Sequence, residues 1–398
     1  MKIIYIINAG FSSYLRTGGL EKYLREIYDD NINLNFVEIS KQYSNNPKYM
    51  TGKRDNVFYN TPEKFYHNSN GNLDGSDSHT DYTDYIDYFN DYFNHINNSI
   101  IILNFSILKL KKINRMILFN NDIFFVDHGM TPSYLFCPTK SYYTSSKIKI
   151  DKRFNLLKSK FILRIDKYRT RKKWLPIREI KIIVYTEENK KIWMKYYNFR
   201  DDQFIIIPLS STRKQLLTNN ELNSFATRKY DLGYLGRYDQ IQKNLKLANG
   251  IIERSKKSAL FAGYDFPASP ASFYLKSKYI NNIFYWDRDP KLFYSQVKYT
   301  IHTSRFEGFG YSLLESMENG VPVILLNSFP AAKYIVGENN ERGFLFKNKK
   351  QAIHFIRSKA NNEELWRQKS QSCSNWIKSE QDNFVFKKEW KKILNNEY

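Results

Sequence analysis

The chain opens on an apolar run, Ile3 to Ile7, that passes through Asn8-Ala9-Gly10 into Gly18-Gly19 and then Leu20, Tyr23, Leu24 and Ile27 at helical spacing. Strand, glycine turn and amphipathic helix in that order predict the start of a Rossmann-type half. Apolar runs at Leu34 to Ile39, Ile100 to Phe105, Ile123 to Val126, Ile180 to Tyr185 and Phe204 to Ile207 predict its other strands, with a helix from Glu187. Residues 41 to 77 are rich in Asn, Tyr, Lys and Gly without a period and read as a long loop or insertion. Asp81 to Ile96 reads as an amphipathic helix: Tyr82, Tyr85, Phe89, Phe93 and Ile96 make one stripe, and Asp77, Asp81, Asp84, Asp87 and Asp91 a solvated one.

After a Ser/Thr/Asn-rich boundary at Leu209 to Thr227 a second series begins. Strands are expected at Tyr230 to Leu235, Ala259 to Gly263, Asn282 to Trp286, Tyr299 to Thr303 and Val321 to Leu325. Helices are expected at Lys243 to Arg254, Pro290 to Val297 and Gly310 to Asn319. Such alternation predicts parallel sheets covered by helices. Phe384 to Leu394 is a basic helix with Phe386, Trp390 and Leu394 four apart. The domains are drawn at 1–209 and 210–377, with a final helix at about 378–398 packing back on the first.

Composition narrows the chemistry. Two cysteines in 398 residues, Cys137 and Cys373, exclude a disulfide framework and leave little room for a cysteine zinc site. No apolar stretch is long enough to cross a bilayer, and Met1 to Ile7 reads as a strand rather than a secretory signal. The expected location is cytoplasmic, peripheral on the inner face of the plasma membrane. The net charge of +22 points to anionic company. Half of that surplus falls in Lys147 to Lys181, where fourteen Lys or Arg meet three acids. There Phe154, Leu157, Phe161, Ile165 and Tyr168 recur at helical spacing among cations, the pattern of a helix lying in an anionic interface.

The densest chemical signal is Ser304-Arg305-Phe306-Glu307-Gly308-Phe309-Gly310-Tyr311, followed by Glu315 and by Gly320-Val321-Pro322-Val323. A glycine turn between strand and helix offers backbone amides and a positive dipole end to an anion. Glu307 and Glu315, eight residues apart, are expected about two helical turns apart on similar sides, suited to hydroxyl-rich ligands. Asp287-Arg288-Asp289 has the letters of a metal motif, but Pro290 follows, so Asp289 reads as a helix cap and no metal site is expected.

These residues resemble the Glu-x7-Glu signature of retaining glycosyltransferases with the GT-B fold, of the group 1 or family 4 type. Gly18-Gly19-Leu20-Glu21, Gly236-Arg237 with Lys243-Asn244, and Gly343 to Phe346 match its other motifs in order. The resemblance implies two Rossmann-like domains facing each other across a cleft, with a C-terminal helix crossing back. It implies a nucleotide-diphosphate sugar as donor, a UDP-sugar first among them, and no required cofactor. By residue it implies Arg237 and Lys243 on the diphosphate and Glu307 on the sugar hydroxyls. Gly308, Phe309, Gly310 and Tyr311 would lie on the distal phosphate, Glu315 on the ribose, and Gly18 and Gly19 near the same phosphates. His128, after a strand of the first half, would contact sugar or acceptor. The acceptor is expected to be a glycan or lipid-linked hydroxyl, in cell-surface polysaccharide or glycoconjugate synthesis. The alternatives are a polyanionic acceptor, such as a teichoic-acid-like polymer or modified DNA, or a non-catalytic nucleic-acid binder on the same fold.

Overall fold

The computed structural model describes residues 3–8, 23–24, 26–28, 31, 34–40, 51–54, 57–60, 90–104, 117, 120–127, 180–197, 199–210, 225–240, 242–265, 270–284, 290–381, 383–395 and 397–398. Gly18 to Glu21, residues 81–89, His128, residues 147–179 and Asp287 to Asp289 lie outside the described residues, and so do the roles expected of them.

The described residues fall into two units, one within 1–131, 164–208 and 384–398 and one within 209–383. In the first, β1 (Ile4–Asn8), β2 (Phe36–Ser40), β3 (Thr51–Arg54), β4 (Val57–Asn60), β5 (Ile100–Asn104), β6 (Asp122–Val126), β7 (Ile180–Val184) and β8 (Phe204–Ile206) build one sheet. Its order is β3-β4-β2-β1-β5-β6-β7-β8. Each neighbouring pair is parallel except β3 with β4, which is antiparallel. All five residues of β5 are buried, as expected of a strand covered on both faces.

Strands β3 and β4 correct the reading of 41–77 as loop throughout. Val57-Phe58-Tyr59 is a strand-favouring triplet hidden in a polar stretch, too short for any period to show. It gains its stability by pairing with β2, with Val37 opposite Phe58. The helix α1 (Glu187–Tyr197) starts where expected, but Thr186 is its cap: Asn189 N–H donates to Thr186 Oγ1 at 3.2 Å. Glu187 is the exposed first helical residue.

The second unit runs β9 (Tyr230–Leu235), α2 (Leu245–Ser255), β10 (Ala259–Gly263), β11 (Ile280–Phe284), α3 (Pro290–Tyr294), β12 (Val297–His302), α4 (Tyr311–Glu318), β13 (Val323–Leu326), α5 (Ala332–Val336), β14 (Gly343–Phe346), α6 (Lys349–Ser358) and α7 (Glu363–Ser379). The sheet order is β11-β10-β9-β12-β13-β14, every pair parallel. The winding reverses between β9 and β12, and open α/β sheets bind ligands outside the carboxyl ends of the strands at that point. Strands β9 and β10 approach so closely there that a Cβ on Gly263 would lie 1.8 Å from the Gly236 carbonyl oxygen.

The chain ends in α8 (Asn383–Leu394), which packs in the first unit. Tyr23 lies edge-on to Phe386 at 5.4 Å and to Trp390 at 5.8 Å between ring centroids.

Candidate active site

Two loops leave the sheet at the switch point, one after β9 and one after β12. Gly236, at φ +146°, turns the chain out of β9 and delivers Arg237. Tyr234 holds that turn from below, its hydroxyl donating to the Arg237 carbonyl at 2.6 Å. Asn244 stands in the left-handed region at φ 56° immediately before α2. Lys243 therefore sits on the loop and not on the helix, where sequence spacing put it. A left-handed residue cannot be read from an apolar period.

The loop after β12 is sewn to this one. Thr303 Oγ1 donates to the Lys243 carbonyl at 2.8 Å, Arg305 N–H to the Gln242 carbonyl at 2.8 Å, and Arg305 Nη2 to Asn244 Oδ1 at 2.9 Å. The result brings four side chains together. Lys243 Nζ forms an ion pair with Glu307 Oε1, both side chains being largely buried. Gln242 Nε2 donates to Glu307 Oε2 at 3.1 Å, and Arg237 Nη2 donates to Gln242 Oε1 at 2.8 Å. Burial first, and the Glu307 charge second, raise the Tyr234 phenol well above its ordinary value, so it stays a donor.

Glu307 and Glu315 do not share a helix. α4 begins at Tyr311, so Glu307 lies in the turn ahead of it, and the expected two-turn spacing does not apply. Glu315 has a separate setting: the buried Tyr294 hydroxyl donates to Glu315 Oε2 at 3.4 Å and to the Ser312 carbonyl at 3.3 Å. Gly310 is the N-cap of α4 at φ +101°, a conformation that L side chains rarely adopt. A glycine cap sets no side chain over the first turn of the helix, where the positive end of the helix dipole favours an anion. The Phe309 ring is buried, which leaves its backbone for the ligand-binding role expected of it. Gly308 is buried beside it, and Tyr311 is half-buried at the start of α4.

Sequence reasoning missed Gln242, Thr303 and Arg305, which hold the loops together, and passed over His302. Ser316 Oγ donates to the Val321 carbonyl at 2.8 Å, so it accepts from Thr300 Oγ1 at 2.7 Å. Thr300 must then accept from His302 Nε2 at 3.1 Å. That chain assigns the Nε2–H tautomer. Burial, with the Lys243 charge second, pushes His302 down to about 3, so the ring beside the ion pair is neutral. Among the described residues no group of His, Cys, Asp or Glu is placed to hold a metal ion.

Residues 270–378 match the family described as glycosyl transferases group 1. No curated protein matches the chain. Solved structures share its fold at low identity. Sucrose-phosphate synthase from Thermosynechococcus elongatus is 13% identical, with a TM-score of 0.69 over 100% of this chain and 99% of that one. Anabaena HepE, in complex with UDP and glucose, is 13% identical at 0.65 over 100% of both. A TarM mutant from S. aureus, in complex with Fondaparinux, alpha-GlcNAc-glycerol and UDP, is 14% identical at 0.62 over 99% and 100%.

Proposed function

We propose, from the premise that the chain is a glycosyltransferase of the group 1 type with the GT-B fold, that it moves a sugar from a nucleotide-diphosphate donor to a hydroxyl with retention of configuration. The observation that carries the reading is the Lys243–Glu307 pair, joined through Gln242 to Arg237 at the carboxyl ends of β9 and β12. One array there holds two cations suited to a diphosphate and one carboxylate suited to sugar hydroxyls.

As the anomeric C–O bond breaks, negative charge grows on the departing diphosphate. Lys243, Arg237 and the amides leading into α4 stabilise that charge in place, without solvent having to reorganise. Lys243 must exchange Glu307 for phosphate, which frees the carboxylate to accept from the sugar. Glu315 takes the ribose hydroxyls. No protein nucleophile is assigned: the acceptor attacks from the face the diphosphate leaves, which accepts the proton. His128 is assigned to the sugar or the acceptor, and Gly18 and Gly19 to the phosphates. UDP is the first nucleotide to test, since HepE and TarM are seen with it.

The acceptor is a glycan or lipid-linked hydroxyl in cell-surface polymer synthesis, met on an anionic membrane that the basic sequence 147–181 binds. A polyanionic acceptor is the second reading, favoured by the net charge of +22. Purified chain is to be given UDP-sugars and its release of UDP followed, with and without acceptors. Turnover in wild type and none in Glu307→Ala is the expected result. Equal UDP release by both proteins would overturn the site.

A further inference from the structure

The turn Gly308-Phe309-Gly310 has one side chain between two glycines. Such a turn has wide backbone freedom, so its amides are ordered for a ligand only if Phe309 is fixed. The buried Phe309 ring lies parallel to Trp376 of α7, with planes 3° apart and centroids at 6.5 Å. Tyr334 of α5 stands edge-on to both, at 6.1 Å from Phe309 and 5.7 Å from Trp376. Arg342 lies 4.5 Å over the Trp376 ring.

This bracket is pinned by one carboxylate oxygen. Trp376 Nε1–H donates to Glu380 Oε2 at 3.0 Å and the Tyr334 hydroxyl donates to it at 3.3 Å. Gln381 Nε2 donates in turn to Tyr334 at 3.0 Å, which leaves the phenol proton directed at Glu380. Burial and the Glu380 charge push the Tyr334 phenol up to about 12, so it remains a donor across the working range. Every proton in the chain points the same way, and its end is the C-cap of α7.

We infer that Trp376 and Tyr334, pinned by Glu380, are positioning residues for the donor's distal phosphate: they fix Phe309, and through it the amides of residues 308–310 at the mouth of α4. The inference rests on the diphosphate reading above. It locates a determinant of donor affinity in α5 and α7, outside the loops that touch the ligand.

The test is calorimetric binding of UDP and UMP to wild type, Glu380→Ala, Glu380→Gln and Trp376→Leu. Glu380 is exposed, so its variants do not disturb a core. Glu380→Ala is expected to weaken UDP by about tenfold while UMP, which lacks the distal phosphate, changes by less than about twofold. Glu380→Gln keeps an acceptor oxygen and should recover most of the loss. Trp376→Leu should move UDP further the same way. Equal weakening of UDP and UMP in Glu380→Ala, or unchanged UDP binding in both Glu380→Ala and Trp376→Leu, overturns the positioning role. A wild type that binds UDP no tighter than UMP overturns the diphosphate reading itself, and this inference with it.

Discussion

Glu307 and Lys243 each occupy the other while no donor is bound, and that mutual neutralisation has a measurable sign. Glu307→Gln releases Lys243, so UDP alone is expected to bind about fivefold tighter at low salt even though transfer is lost. Lys243→Ala is expected to lower turnover by about 10²–10³, the usual effect of removing one group that stabilises developing charge. Opposite signs on UDP affinity from the two partners, read by calorimetry, would distinguish an exchanged ion pair from a structural one. His302 makes a prediction in pH. Its ordinary value is 6.5 and its folded value about 3, so between those limits the unfolded chain holds a proton that the folded chain refuses. Stability is fully present above about 6.5 and falls as pH drops toward 3. Urea midpoints at pH 7 and pH 5 should therefore differ more in wild type than in His302→Gln.

Elements show what sequence patterning reveals and what it hides. β9 and β10 span the residues their apolar runs predict, because a strand covered on both faces is written as a bounded run of apolar residues. α2 begins two residues later than its apolar period implied, because Asn244 turns left-handed. β3 and β4 escaped notice because four residues are too few to establish alternation. The candidate site was legible as residue types, Arg237, Lys243, Glu307 and Gly310, but its wiring was not. Gln242 and Thr303 act through neighbours some sixty positions away in sequence, and sheet order alone brings them close. Gly310→Ala tests the turn as an element: the φ of +101° should cost roughly 1–3 kcal/mol in chemical unfolding. UDP affinity should fall with it as the amides move.

For the whole molecule, charge and metal use are the testable quantities. Diphosphate departure is assigned to cations of the chain itself, so turnover is expected to persist in excess EDTA; loss restored by magnesium or manganese would contradict the assignment. The basic region is expected to carry the chain onto anionic vesicles in flotation at low salt and to release it as salt rises. Absence of binding to such vesicles at low salt removes the membrane reading and leaves the polyanionic acceptor.

The packing of α8 against Tyr23 has a consequence for biogenesis. The aromatic pair that seals the first unit, Phe386 and Trp390, lies more than 360 positions after Tyr23 in the chain. Synthesis from the N-terminus thus passes through the whole second unit before the first acquires these rings. Until then, Tyr23 waits beside an unfilled hollow. Small side chains in place of Phe386 and Trp390 should accordingly be as damaging around Tyr23 as around α8 itself.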